Sequence, residues 1–293
     1  MANTPNIATT PHFSQRMVGQ ARITAISDGS ARRPLVEGFV KNATLSEVQA
    51  VLAQANLPTD FIEIPYTCYV VEINGKRYLL DTGFSDNGPA GTGLLLQHMR
   101  EAGIDPASID GVIISHFHGD HINGLRKKDG SLTFPHATIY VPAPEMQFWM
   151  DAERLRTAPE GARSGFENVH RVFDNYPAEK LSPFTPGTDI TPGIQTISAP
   201  GHTPGHTVIQ VHSGNEVFTF LGDTTNVPVL FVTRPDWVVQ FDMNPDLART
   251  TRLALLEQMA QQQHLVSGYH FPLPGFGRIQ KNMPHGYRWE ATN

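Results

Sequence analysis

The chain has 293 residues, 40% hydrophobic and 17% charged, with a formal net charge of −6. This is a soluble globular composition, long enough for a sizeable core, and the absence of a basic block argues against nucleic acid as the main partner, since phosphate binding needs clustered Lys and Arg. The single cysteine, Cys68, excludes an intrachain disulfide and any cysteine-rich zinc module, so metal ligands would have to be His and carboxylate.

No apolar run approaches the roughly 18 to 20 residues of a membrane span, and the first residues form neither a charged nor an apolar leader region. The expectation is a protein of the cytoplasm, or one exported with a signal peptide absent from this sequence. Residues 1–20 are polar and Pro-containing and read as an irregular arm, with residues 21–293 as one domain. Residues 21–29 alternate apolar and polar side chains and read as the first strand. Leu45, Val48, Val51 and Leu52 follow a helical period over residues 44–56, with Thr44 as cap and Glu47 three positions on. Residues 67–73 and 77–80 flank Asn74-Gly75, the signal for a tight hairpin turn. The second of these strands runs into Asp81, which either accepts a ligand histidine's second N–H or merely closes a turn. A helix over residues 94–102 and a strand over 109–114 follow.

That strand delivers Ser115-His116-Phe117-His118-Gly119-Asp120-His121, four potential metal ligands within six residues. If the backbone stays extended, His116 and His118 point the same way and can reach one ion. Asp120 and His121 lie beyond the turn that Gly119 would permit, facing a second position. Two metals rather than one are expected. The strand reading continues at residues 137–141, followed by a helix over 144–155 carrying Phe148 and Trp149. Residues 157–166 are rich in Gly, Ala and Arg and read as a loop able to cover the site. A strand at 194–198 then delivers His202 and His206. His202 comes first and is the better ligand, whereas His206 suits a structural hydrogen bond. The strand at 216–221 delivers Asp223, a carboxylate suited to lie between two cations. A helix over 245–263, expected to bury Leu247, Leu253, Leu256 and Met259, precedes a strand at 265–268 that delivers His270.

The ordered series His116, His118, Asp120, His121, His202, Asp223 and His270 closely resembles the metallo-β-lactamase superfamily over about residues 20–280. The resemblance implies an α/β fold, a four-layer αββα sandwich, with His116, His118 and His202 on one metal, Asp120, His121 and His270 on the other, and Asp223 bridging. It also implies a metal-bridging hydroxide as nucleophile and a homodimer. Zinc is the default among zinc, manganese, cobalt and iron, which the same donors suit. An Asp at position 223 disfavours true β-lactamase activity, and too few residues follow His270 for the C-terminal helical domain of glyoxalase II enzymes.

A narrower likeness is to methyl parathion hydrolases and their lactonase relatives. It rests on residues 22–29, Phe148-Trp149, Gly165-Phe166, residues 272–277 and residues 286–288. It implies that Trp149 and Phe166 line the leaving-group pocket, although a Trp on a helix face is by itself more often core. No third aromatic stands near Asn87, and Asn226 and Phe241 occupy positions where the parathion-degrading enzymes carry leucines. Lactone or aryl-ester hydrolysis is therefore expected ahead of organophosphate turnover, with a small-molecule substrate and no membrane or nucleic-acid partner. Asp120 and Asp223 are the candidate catalytic residues, although a carboxylate held by metal is a poor base. The alternatives are an N-acyl homoserine lactonase and a metal-binding protein without catalysis.

Overall fold

Strand pairing divides the chain into two sheets that follow one another in sequence. The computed structural model describes residues 12–282 and 286–292. The first sheet runs β1 (Phe13–Val18), β2 (Ala21–Pro34), β3 (Phe61–Ile73), β4 (Lys76–Leu80), β5 (Gly111–Ile113), β6 (Thr138–Pro142) and β7 (Leu181–Phe184), in that spatial order. The second comprises β8 (Asp189–Thr191), β9 (Ile194–Ser198), β10 (Thr207–Ser213), β11 (Glu216–Phe220), β12 (Leu265–Ser267), β13 (Gly277–Asn282) and β14 (Gly286–Ala291), again in order. Hairpins make most neighbours antiparallel, but β4 to β7 and the β11–β12 pair are parallel. Asn74 and Gly75 both have positive φ, 52° and 73°, so the β3–β4 hairpin takes the tight turn its sequence signals.

The sheets pack face to face through aromatic side chains. Tyr69 of β3 lies 5.4 Å from Phe218 and 5.3 Å from Phe220 of β11, ring centre to ring centre. Helices α1 (Leu45–Gln54), α2 (Leu95–Glu101), α3 (Gly119–Ile122), α4 (Ala143–Trp149), α5 (Ala152–Thr157), α6 (Glu160–Phe173), α7 (Pro228–Phe231) and α8 (Pro245–Gln262) complete the αββα sandwich. Leu255, Leu256 and Met259 of α8 join Val208, Leu221, Val266 and Ile279 in a separate apolar layer on the outer face of the second sheet. No helix among the described residues is long and apolar enough to cross a membrane.

A bulge in β2 ties the first helical layer to the sheet. The register slips between Ser27 and Gly29, leaving Asp28 unpaired and turned inward. Its buried carboxylate accepts from the N–H groups of Phe84, Gly93 and Leu95 at 2.9, 3.2 and 2.9 Å. Helix α2 has no capping side chain of its own, so Asp28 supplies the acceptor its first turn needs. By contrast α1 is capped locally, with Thr44 and Glu47 forming the reciprocal box expected from sequence.

Several expectations are corrected. Residues 13–18, assigned to an irregular arm, form β1 against β2, while residues 1–11 lie outside the described residues. The helix expected over 144–155 is two helices, broken where the Asp151 carboxylate caps α5 through Glu153 N and Arg154 N. Of the loop expected over 157–166, Thr157 ends α5 and residues 160–166 are the first half of α6, whose buried face is Phe166, Val169, Val172 and Phe173. In α8, Leu247 and Leu253 are exposed, and the inward positions between them belong to Ala248 and Arg252.

Candidate metal centre

Strand ends from both sheets meet at one edge of the sandwich. The segment after β5 carries His116 and His118, and α3, which opens with Gly119, carries Asp120 and His121. Gly119 begins a helical turn rather than adopting a left-handed conformation. The loop after β9 brings His202, the end of β11 brings Asp223, and the end of β12 brings His270. Their donor atoms fall into groups whose members lie within 4.8 Å of one another: His116, His118 and His202; Asp120, His121 and His270; and His116, His121 and Asp223. Asp223 stands between the first two. Its Oδ2 is 3.3 Å from His202 Nε2 and 3.0 Å from His270 Nε2, and its Oδ1 is 3.4 Å from His121 Nε2.

The outward ring nitrogens are fixed. His121 Nδ1 meets Asp81 Oδ2 at 2.7 Å, His202 Nδ1 meets Asp242 Oδ1 at 2.9 Å, and His270 Nδ1 meets the Pro65 carbonyl at 3.0 Å. Donating N–H there leaves Nε2 as a lone pair facing inward, the arrangement that metal-binding imidazoles use. Asp81 satisfies both of its sequence readings. It sits at φ +56° in the turn after β4, and it also accepts from Ser115 N and Ser115 Oγ, each at 2.7 Å. Burial, and then the neighbouring imidazoles, push His116 and His118 well below the ordinary histidine range, which favours the neutral ligand form.

The donor set fits a metal. His118 Nδ1 lies 3.1 Å from His116 Nε2 and 3.0 Å from His202 Nε2, close to the edge of a zinc–imidazole tetrahedron at roughly 2.0 to 2.1 Å per bond. Two atoms aimed at the centre, His121 Nε2 and Asp223 Oδ1, are buried without a hydrogen-bond partner. Such groups are costly unless a cation or water meets them. His206, by contrast, accepts from Asp223 N at 2.9 Å, the structural role its position suggested, and burial takes it down to about 3.

Four supporting residues had little signal in the sequence. Glu145 of α4 is fully buried, and its carboxylate accepts from Phe117 N at 2.9 Å, Gly205 N at 2.6 Å and Trp149 Nε1 at 2.9 Å. One group thus pins the segment between His116 and His118, the loop after His202, and the Trp149 indole. Its position four residues before Trp149 on one helix face is the only local hint. Asp242 holds His202, and Arg252 holds Asp242 at 2.9 Å while donating to the Thr224 carbonyl at 2.7 Å, next to Asp223. Tyr269 donates to the Asp120 carbonyl at 2.7 Å and places its ring 3.9 Å from that of His121.

Only part of the centre is open. His116 and His121 are fully buried, whereas the segment His118-Gly119-Asp120 is partly exposed. Trp149 lies beside it, with its ring 6.3 Å from His118 and 4.8 Å from Phe166. A Cβ at Gly165 would come within 3.2 Å of the Trp149 ring, so a glycine in α6 permits this contact. Across the centre, Tyr66 packs edge-on to His270 at 5.3 Å and to Phe84 at 4.9 Å. Asn87 carries no ring, so Phe84 is the aromatic on that side. Phe241 is half-buried beside Asp242, and Asn226 is buried with its Oδ1 accepting from Val227 N. Among the described residues, no hydrogen bond joins the Asn226 side chain to the candidate ligands.

Known proteins share this arrangement to different extents. A probable metallo-hydrolase of Mycobacterium tuberculosis is 27% identical over 183 residues, 55% of this chain and 57% of that protein, so the chain spans little more than half of that relative's length. The crystal structure of hydrolase AbOPH, described as in the beta lactamase superfamily, superposes with a TM-score of 0.90 at 25% identity, covering 97% of this chain and 98% of that one. AidC, described as a dizinc quorum-quenching lactonase in complex with the product N-hexanoyl-L-homoserine, superposes with a TM-score of 0.87 at 26% identity, covering 96% and 97%. Residues 63–270, which carry every candidate ligand, match the metallo-beta-lactamase superfamily, and the chain belongs to it.

Proposed function

We propose that the protein is a binuclear metal-dependent hydrolase of lactones and aryl esters, with phosphotriester hydrolysis as a lesser activity. The observation that supports it most is the placement of Asp223 between two three-residue donor groups, with unpartnered buried atoms facing inward. His116, His118 and His202 would hold one divalent ion, Asp120, His121 and His270 the other, and Asp223 would serve both. When bound, such ions polarise the scissile carbonyl or phosphoryl oxygen and lower the pKa of water.

The chain's own residues set where and what it cuts. Substrate enters beside His118 and Asp120, because the other ligands are buried. Trp149 and Phe166 offer a flat apolar wall that favours a ring or acyl group. Asp120, whose side chain is 20% exposed, faces the entrance and is placed to take a proton from the attacking water and return it to the departing alkoxide. Asn226 and Phe241, in place of leucines, shift the preference from organophosphates toward lactones. The likeness to AidC favours acyl homoserine lactones among them.

The test is kcat/KM of zinc-loaded protein for dihydrocoumarin, N-hexanoyl homoserine lactone and methyl paraoxon, with Asp223→Ala as control. Lactone preference abolished by the substitution is expected. A paraoxon preference would refute the substrate order, and no turnover of any of the three would favour a non-catalytic metal protein. A homodimer belongs to the same proposal and is checked by sedimentation velocity.

A further inference from the structure

Two adjacent arginines at the end of β2 have different fates. Successive strand residues face opposite sides of a sheet. Arg32 turns outward, where it meets Glu63 at 3.5 Å and lies over Phe61. Arg33 shares its face with Ala31 and Gly29, whose partners on β3 are Ile62, Ile64 and Tyr66, all buried. It therefore points toward the metal-centre side just beyond the edge of the core. Its guanidinium lies 5.7 Å from the Phe241 ring centre and beside the Tyr66 hydroxyl.

Those two neighbours define where Arg33 stands. Tyr66 packs on His270, and Phe241 precedes Asp242, the group that orients His202. Arg33 thus stands between the His270 side and the Asp242–His202 side of the centre. It is exposed, and among the described residues it has no carboxylate partner, although the chain carries net negative charge. A stacked guanidinium whose planar fork is left without an acid is prepared to receive one.

We infer that Arg33 is a specificity residue that selects substrates bearing a carboxylate remote from the scissile ester or lactone carbonyl. The Tyr66 hydroxyl lies beside the fork and can contribute a further donor to the same group. This rests on the hydrolase reading of the centre and adds the chemical class of substrate: an acidic lactone or a half-ester of a dicarboxylic acid.

The experiment compares kcat/KM for 4-nitrophenyl hydrogen adipate with that for its methyl ester, in metal-loaded wild type and Arg33→Met. The two substrates differ only in the remote charge. Wild type is expected to prefer the acid by about tenfold, carried mainly by KM, with the ratio collapsing toward one in Arg33→Met and only partly restored in Arg33→Lys. A wild-type ratio of one or below, or a ratio unchanged in Arg33→Met, overturns the inference. If neither ester turns over, the hydrolase reading is what fails. Calorimetric binding of monomethyl adipate then decides on Arg33, because equal affinity in wild type and Arg33→Met refutes the inference and a tenfold loss supports it.

Discussion

The candidate ligands from the two sheets are held differently. The first sheet supplies His116, His118, Asp120 and His121 from one short segment, with Asp81 and Glu145 gripping it directly. The second supplies His202, Asp223 and His270 from three separate strand ends, and its orienting carboxylate, Asp242, is itself held by the buried Arg252. A contiguous segment needs only anchors. Ligands that converge from distant loops need a network, because each loop must be fixed against the others.

The largest expected effect lies in that network. Arg252→Met leaves Asp242 buried without its cation and removes the donor to the Thr224 carbonyl, which should cost about 3 to 5 kcal/mol in denaturant unfolding. Lysine should not rescue it, since a point charge cannot reproduce bonds to Asp242, Thr224 and Trp237 together. A loss below about 1 kcal/mol would mean that the second-sheet ligands do not depend on Arg252.

Next is the anchor of the first sheet. Glu145→Gln places an amide among groups that are all donors, and should cost about 2 to 3 kcal/mol. It should also change Trp149 fluorescence, since a single amide oxygen must then serve Phe117 N, Gly205 N and Trp149 Nε1, which the two carboxylate oxygens share. Unchanged emission would show that the glutamate does not position the aromatic wall. A smaller effect is expected for Asp242→Asn, which keeps the shape but weakens the hold on His202. Zinc affinity measured by chelator competition should fall about 10-fold to 100-fold. Equal loss in Asp81→Asn would erase the contrast between the sheets, because Asp81 is backed by Ser115 and Asp242 by an arginine.

The smallest effect sharpens the account of the entrance. Gly165→Ala gains roughly 0.5 to 1 kcal/mol of helix propensity but crowds the Trp149 ring, so the melting temperature should barely change. The ratio of kcat/KM for aryl over alkyl esters should shift instead. A constant ratio would place Trp149 outside the pocket.

The candidate ligands are brought together as their places in the sequence suggest, because the segments that carry them follow apolar strand runs. The β3–β4 hairpin and the α1 cap were legible because their chemistry is local. Helix α6 was not, since Gly161 and Gly165 weaken the helical signal and its buried face begins only at Phe166. Strand β1 was missed because its polar residues follow a proline-containing start. Glu145, Asp242 and Arg252 were hidden for a different reason: apart from the Glu145–Trp149 and Asp242–Arg252 pairs, what they hold lies far along the chain, at Phe117 and Gly205, at His202, and at Thr224. The bulged Asp28, which caps α2 from another element, belongs with them.

Native mass spectrometry of zinc-reconstituted wild type and Asp223→Ala decides whether the seven residues form one two-metal centre with Asp223 between the ions. Two ions per chain are predicted for wild type, with the doubly loaded form lost in the variant at the same free zinc. A single ion in wild type, or two ions retained with unchanged affinity in Asp223→Ala, would contradict it.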